Sequence, residues 1–152
     1  MEPEIIVEKK EMALDLAGAG SRLVSYLIDV IILTVVYFAL SIIFGLPVEE
    51  ELMNTEDFTT AFYALYIVVA VITIGYYTYF FGKGQTPGMK LVSIKLIRAN
   101  GVSPVGYGKG LLRWIGMEIS GFVLFLGYIW ILIDKKNQGW HDKIAGTYVV
   151  KA

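Results

Sequence analysis

The sequence predicts an all-α membrane protein with two transmembrane helices, a third apolar segment interrupted by glycines, and a small cytoplasmic strand pair. Three observations lead there. Hydrophobic residues make up 56% of the 152 and charged residues only 18%, against about 45–50% and about 25% in soluble domains. The 13 Lys and Arg are absent from residues 23–82. Within that gap lie two apolar runs, each long enough to cross a bilayer. This composition excludes a disordered chain. The lack of Cys excludes disulfides and thiolate metal sites, and a single His excludes a multi-histidine zinc site.

Residues 1–20 are polar, with Glu2, Glu4, Glu8, Glu11 and Asp15 set against Lys9 and Lys10. This lacks the positive start of a cleavable signal, and is expected to be a cytoplasmic tail. A membrane domain over residues 21–151 follows, with helices expected at about 21–44, 61–81 and 104–133. Residues 23–44 hold one charge, Asp29, over 22 residues. At 1.5 Å per residue this spans a hydrocarbon core of about 30 Å. Pro47 ends the run, and an acidic loop, 46–60, follows. Residues 61–81 carry no formal charge and are rich in Tyr, at 63, 66, 76, 77 and 79. These tyrosines read as interfacial belt and packing residues.

The stretch 82–90, GKGQTPGMK, is a Gly/Pro loop. After it, Val92, Ile94 and Leu96 alternate with Ser93 and Lys95 before Asn100-Gly101, which predicts a short strand. Thr147 to Val150 predicts a second. Sheet edges do not survive against lipid, so the two strands belong outside the bilayer core, where they can pair. The third apolar region, 111–133, contains Arg113, Glu118 and three glycines, and its uncharged part is only 15 residues long. It either crosses once or dips in and returns. Re-entry is preferred because it leaves every Lys and Arg on the cytoplasmic side, with the acidic loop outside.

Asp29 is the strongest functional signal. It lies roughly 10 Å into the first helix, where an ionised carboxylate costs roughly 2.5–3.5 kcal/mol. Such a group faces the protein interior and needs a partner. Arg22, seven positions earlier, points the same way but is too far for an intrahelical pair, and is expected to snorkel to the interface. Asp29 is then either an ion- or proton-binding group or a pin that fixes helix packing through Tyr and Thr hydroxyls. Glu118 is the second ion-binding candidate, as a border counter-ion or as an inward partner in the Asp29 pocket. Arg113 reads as a membrane-border cation, and Trp140-His141-Asp142 as a cytoplasmic turn. Phosphate loops, dinucleotide fingerprints, nucleophile elbows and HExxH are all absent from the sequence, so no enzyme activity, catalytic residue, metal or cofactor is expected. The basic stretch 83–113 suits anionic lipid rather than nucleic acid.

Three blocks, AGAGSRLVSYLID (17–29), GQTPGMKLVSIKLIRANG (84–101) and GWHDKIAGTYVV (139–150), together resemble the RDD family, named for an arginine and two aspartates. The resemblance assigns Arg22 and Asp29 to the first two and Asp142 to the third, ahead of Asp134; Pro87 stands where the family usually has an aliphatic residue. It implies an integral protein of the prokaryotic cell membrane, expected to be multi-pass, with the cytoplasmic N-terminus that the charge pattern predicts. It also implies transport, with cation/proton antiport associated with some members. On that footing Asp29 is the carrier site, with Glu118, Thr34 and Tyr hydroxyls as further oxygen ligands for Na+ or a related cation. So few helices enclose no water path alone, so a homo-oligomer is expected. The alternative is a non-transporting anchoring or assembly module.

Overall fold

A computed structural model describes residues 14–44 and 56–152. The expected tail, up to residue 13, and most of the acidic loop lie outside the described residues. The described residues form, in order, α1 (Ala19–Ile43), α2 (Glu56–Lys83), α3 (Pro87–Leu91), β1 (Ile94–Arg98), α4 (Tyr107–Phe122), α5 (Leu126–Ile129), a 3₁₀ turn (Trp130–Leu132), α6 (Trp140–Ala145) and β2 (Thr147–Lys151). Among the described residues, α1 and the Thr59–Lys83 part of α2 are long and apolar enough to cross a membrane.

The pattern of burial is inverted relative to a soluble protein. The residues that α1 buries are Arg22, Ser25 and Asp29. Their spacing of three and four puts them on one helix face. Leu23, Leu27, Ile31, Val35 and Phe38 on the other faces are exposed. A helix that turns its polar stripe inward and its apolar faces outward is built for a hydrocarbon solvent. Likewise α4 buries Gly110, Arg113, Gly116, Met117 and Ser120 and exposes Leu111, Ile115, Ile119 and Phe122. Small residues on the inward face allow close approach. A Cβ on Gly110 would meet the Thr78 carbonyl at 2.7 Å, so α4 packs backbone-close on α2.

The third apolar region, expected at about 104–133 as a glycine-interrupted segment, is a bent helix pair. It breaks at residues 123–125, and α4 meets the α5–3₁₀ segment at 110°. Leu124 and Phe125 both take left-handed backbone conformations there, with φ of 50° and 60°. Ser120 Oγ lies only 2.2 Å from where a Gly127 Cβ would be, so Gly127 lets the returning arm close onto α4. The two strands pair antiparallel, Ile94 opposite Lys151 through Arg98 opposite Thr147; the first strand starts two residues later than the expected one. The chain before α1 adds to the free edge of β2, where Ala17 N–H donates to the Val149 carbonyl at 2.9 Å. The start of α1, both strands and the end of α6 therefore lie at one end of the molecule. The end of α2 joins them there, since Leu96 N–H donates to the Gly84 carbonyl at 2.7 Å. A core of Ala17, Tyr77, Phe81, Met89, Ile94, Leu96, Val105, Met117 and Val149 fills this end.

Replacing Gly127 by Ala pushes the returning arm off Ser120. The expected cost is about 1–3 kcal/mol, the usual range for overpacking, read as a lowered unfolding midpoint of the purified protein in detergent. An unchanged midpoint would show that the hairpin is not closely packed.

Candidate functional site

Two buried carboxylates, Asp29 on the polar stripe of α1 and Asp142 facing it, lie in different surroundings. Asp142 is at the third position of α6, where its Oδ2 accepts the Gly139 N–H at 2.8 Å. That caps the helix start and fixes the carboxylate pointing inward. Arg22 from α1 donates to Oδ2 and Arg113 from α4 donates to Oδ1. Arg22 also donates to the Asn137 carbonyl, and Arg113 to Thr147 Oγ1 at 3.2 Å. All three charged residues are buried, with Asp142 wholly inaccessible. Burial by itself would raise the Asp142 carboxyl, but Arg113 and Arg22 outweigh it and hold the group well below the usual carboxylate range. His141, also buried, is pushed down to about 3, chiefly by desolvation and further by the two arginines. It is neutral at pH 7, and its Nε2 lies 3.3 Å from Arg22 Nη2.

Asp29 has no cationic partner among the described residues. Its Oδ1 accepts the Tyr76 hydroxyl and the Gly88 N–H, both at 2.8 Å, and its Oδ2 accepts the Thr86 hydroxyl at 2.6 Å. The loop motif explains this. Thr86 caps α3, its Oγ1 also accepting the Met89 N–H at 3.1 Å, and Pro87 occupies the first turn. A Cβ on Gly88 would fall 2.1 Å from the Ser25 carbonyl and 2.8 Å from Asp29 Oδ1. Only glycine allows α3 to lie against α1 with its N–H on the carboxylate.

The structure corrects several expectations from sequence. Arg22 does not snorkel; it turns inward to Asp142. Arg113 is not a border cation but the second guanidinium on the same acid. Asp142 accepts a backbone N–H as expected for a turn, yet pairs with two arginines rather than a lysine. Glu118 is exposed and does not reach Asp29, because it sits on α4 one position past the buried Met117. Thr34 is exposed as well. Tyr76 is a hydrogen-bond donor to Asp29 rather than only a belt residue. Of Arg22, Asp29 and Asp142, the first and third pair, while Asp29 is held apart by Tyr76, Thr86 and Gly88.

Between α1 and the returning arm is a cavity of about 540 Å³, whose lining includes Arg22, Asp29, Arg113 and His141 beside apolar side chains. Among the described residues no three His, Cys, Asp or Glu side chains cluster as a metal site would require.

Replacing Asp142 by Asn leaves two buried guanidiniums without a carboxylate. The expected loss is about 3–5 kcal/mol of stability, seen as a collapse of the folded fraction in detergent. A near-native midpoint would contradict the central place of this ion cluster. His141 binds its proton more weakly folded than unfolded, so its contribution is complete above pH 6.5 and is lost as pH falls toward about 3. Stability should therefore decline below pH 6.5, by at most about 1.4 kcal/mol per pH unit from this group. The slope should flatten in His141→Gln; an identical slope in that variant would show that other groups cause the decline.

The sequence model of the RDD family matches residues 16–146. The chain is 29% identical to "Uncharacterized protein YxaI" of Bacillus subtilis (strain 168), an alignment covering 88% of this chain and 96% of that protein. It is 28% identical to RP437 of Rickettsia prowazekii (strain Madrid E), over 55% of this chain and 46% of that protein. It is also 28% identical to the "Proline-rich antigen homolog" of Mycobacterium tuberculosis (strain ATCC 25618 / H37Rv), over 44% of this chain and 28% of that longer protein. No solved structure matches the chain.

Proposed function

The chain belongs to the RDD family, and we propose that it is a small transporter exchanging a monovalent cation, Na+ first among candidates, for a proton at Asp29. One observation carries this. Asp29 is a buried carboxylate inside a membrane-spanning helix, and the arginine on its own helix face is committed to Asp142. A lone carboxylate in a medium of low dielectric constant needs a positive charge, and a proton or a cation supplies it. The Tyr76 and Thr86 hydroxyl oxygens, 2.8 and 2.6 Å from the carboxylate, keep lone pairs that can turn toward a hard cation. The adjoining cavity gives access. Two helices able to span and a bent pair do not enclose a complete path, so the working unit in this reading is a homo-oligomer.

Charge sets the orientation. The acidic loop faces outward, and the sheet end, with the start of α1 and the C-terminus, faces the cytoplasm of a prokaryotic cell, because every Lys and Arg is then inside. The bent pair enters the membrane and returns. No covalent chemistry, cofactor or nucleic acid enters this function. The alternative of an anchoring or assembly module has one observation in its favour, namely that donors from α2, the loop and α3 converge on Asp29 as a structural pin would require.

Proton flux driven by a Na+ gradient in proteoliposomes separates the two. Wild type is expected to show it, and Asp29→Asn to lose at least about tenfold, or more than about 1.4 kcal/mol of coupling, while retaining the fold because Asn can still accept from Tyr76 and Gly88. No flux from wild type with Na+, Li+ or K+ would favour the anchoring module. For orientation, Glu51→Cys in this cysteine-free chain should react with an impermeant thiol reagent from outside intact cells, and Lys143→Cys only after lysis. Outside labelling of both would overturn the re-entrant arrangement.

A further inference from the structure

The ion cluster around Asp142 carries one positive charge more than it neutralises. Arg22 and Arg113 are both buried, at 8% and 4% exposure, against a single carboxylate at 0%. His141 beside them adds no counter-charge. A buried guanidinium without a full complement of negative charge is costly unless an anion completes it. Two polar atoms of the cluster also lack hydrogen-bond partners, Arg113 Nε and His141 Nδ1. Both arginines line the 540 Å³ cavity. The other acid on its wall, Asp29, is seven residues along α1, about 10 Å by helical rise, and its oxygens are taken by Tyr76, Thr86 and Gly88.

The rest of the cavity has the opposite character. Leu23, Leu27, Ile129 and Leu132 line it and are each at least half exposed. They lie on the exposed apolar sides of α1 and the returning arm, so in the proposed membrane arrangement the rim of the cavity is on the surface that acyl chains cover. A site charged at its floor and apolar at a lipid-side rim fits a molecule with an anionic head and a hydrocarbon tail.

We infer that this cavity binds an anionic amphiphile, with a carboxylate or phosphate head on the Arg22–Arg113 pair and its chain along Leu27, Ile129 and Leu132. The head group supplies the missing negative charge, and the chain leaves between α1 and the 3₁₀ turn into the bilayer. Binding here does not require cation exchange at Asp29 and stands if that exchange is absent, although Asp29 lies on the wall of the same cavity.

Native mass spectrometry of the delipidated full chain tests it, with palmitate, phosphatidic acid and phosphatidylcholine as ligands and inorganic phosphate as competitor. Palmitate or phosphatidic acid should be retained at least about tenfold better than phosphatidylcholine, and millimolar phosphate should not displace them. Arg113→Gln should abolish the preference if it folds. Leu27→Trp fills the rim without touching a charge, and should reduce retention to the phosphatidylcholine level in a folded protein. Equal retention of the neutral lipid, full displacement by inorganic phosphate, or undiminished retention by Leu27→Trp would each overturn the assignment.

Discussion

The structure depends on one buried carboxylate shared by two arginines. Asp142 holds the first helix through Arg22 and the fourth through Arg113, which brings together residues 120 and 29 positions away in sequence. Charge-assisted pairs of this kind are directional, so they fix where those helices lie as well as that they meet. Once Arg113 and Asp142 are joined, the chain leaving along α4 must come back to the level at which it started. The 110° break supplies that return. The strand pair follows, because β1 precedes the excursion and β2 closes it.

The two buried carboxylates, Asp29 and Asp142, differ by environment. Asp142 is compensated by full charges and held ionised by them. Asp29 is compensated by dipoles alone, two hydroxyls and one backbone N–H. Dipoles stabilise a negative charge without cancelling it, and the proposed exchange rests on that uncancelled charge. The division also explains why Arg22 and Asp29, on one helix face and of opposite charge, do not pair: seven residues of rise separate them, and each finds a nearer partner on another element. Polar side chains that would be costly against lipid thereby become the contacts between helices, while leucines, isoleucines and phenylalanines face outward.

Much of this fold was legible in the sequence. The two long runs without Lys or Arg marked the spans, alternation marked the strands, and the glycines of 111–133 marked a segment that does not cross as a plain helix. Asp29 stood out because a lone acid in an apolar run demands a partner. The partners themselves were harder to read. Arg113 looked like a border cation because its neighbours in sequence are apolar, yet Gly110, Gly116 and Ser120 share its helix face, and a row of small residues is the signal that a face meets protein rather than lipid. Of the two places left open for Glu118, the border one agrees with its face, which includes the exposed Leu111, Ile115 and Phe122. Thr86 and Gly88 were visible as a helix-start pattern, but periodicity says nothing about which distant carboxylate that start would meet. Arg22 was read as snorkelling because its acid lies 120 residues away, beyond any local rule.

The central claim is that a cation and a proton compete for Asp29. Infrared difference spectroscopy reads this at the carboxyl itself, with the protonated band of Asp29 identified by its absence in Asp29→Asn. At a fixed pH where that band is present, adding Na+ should shrink it as the cation displaces the proton. A band indifferent to Na+, Li+ and K+ would contradict the claim and leave Asp29 as the pin that holds α3 against α1.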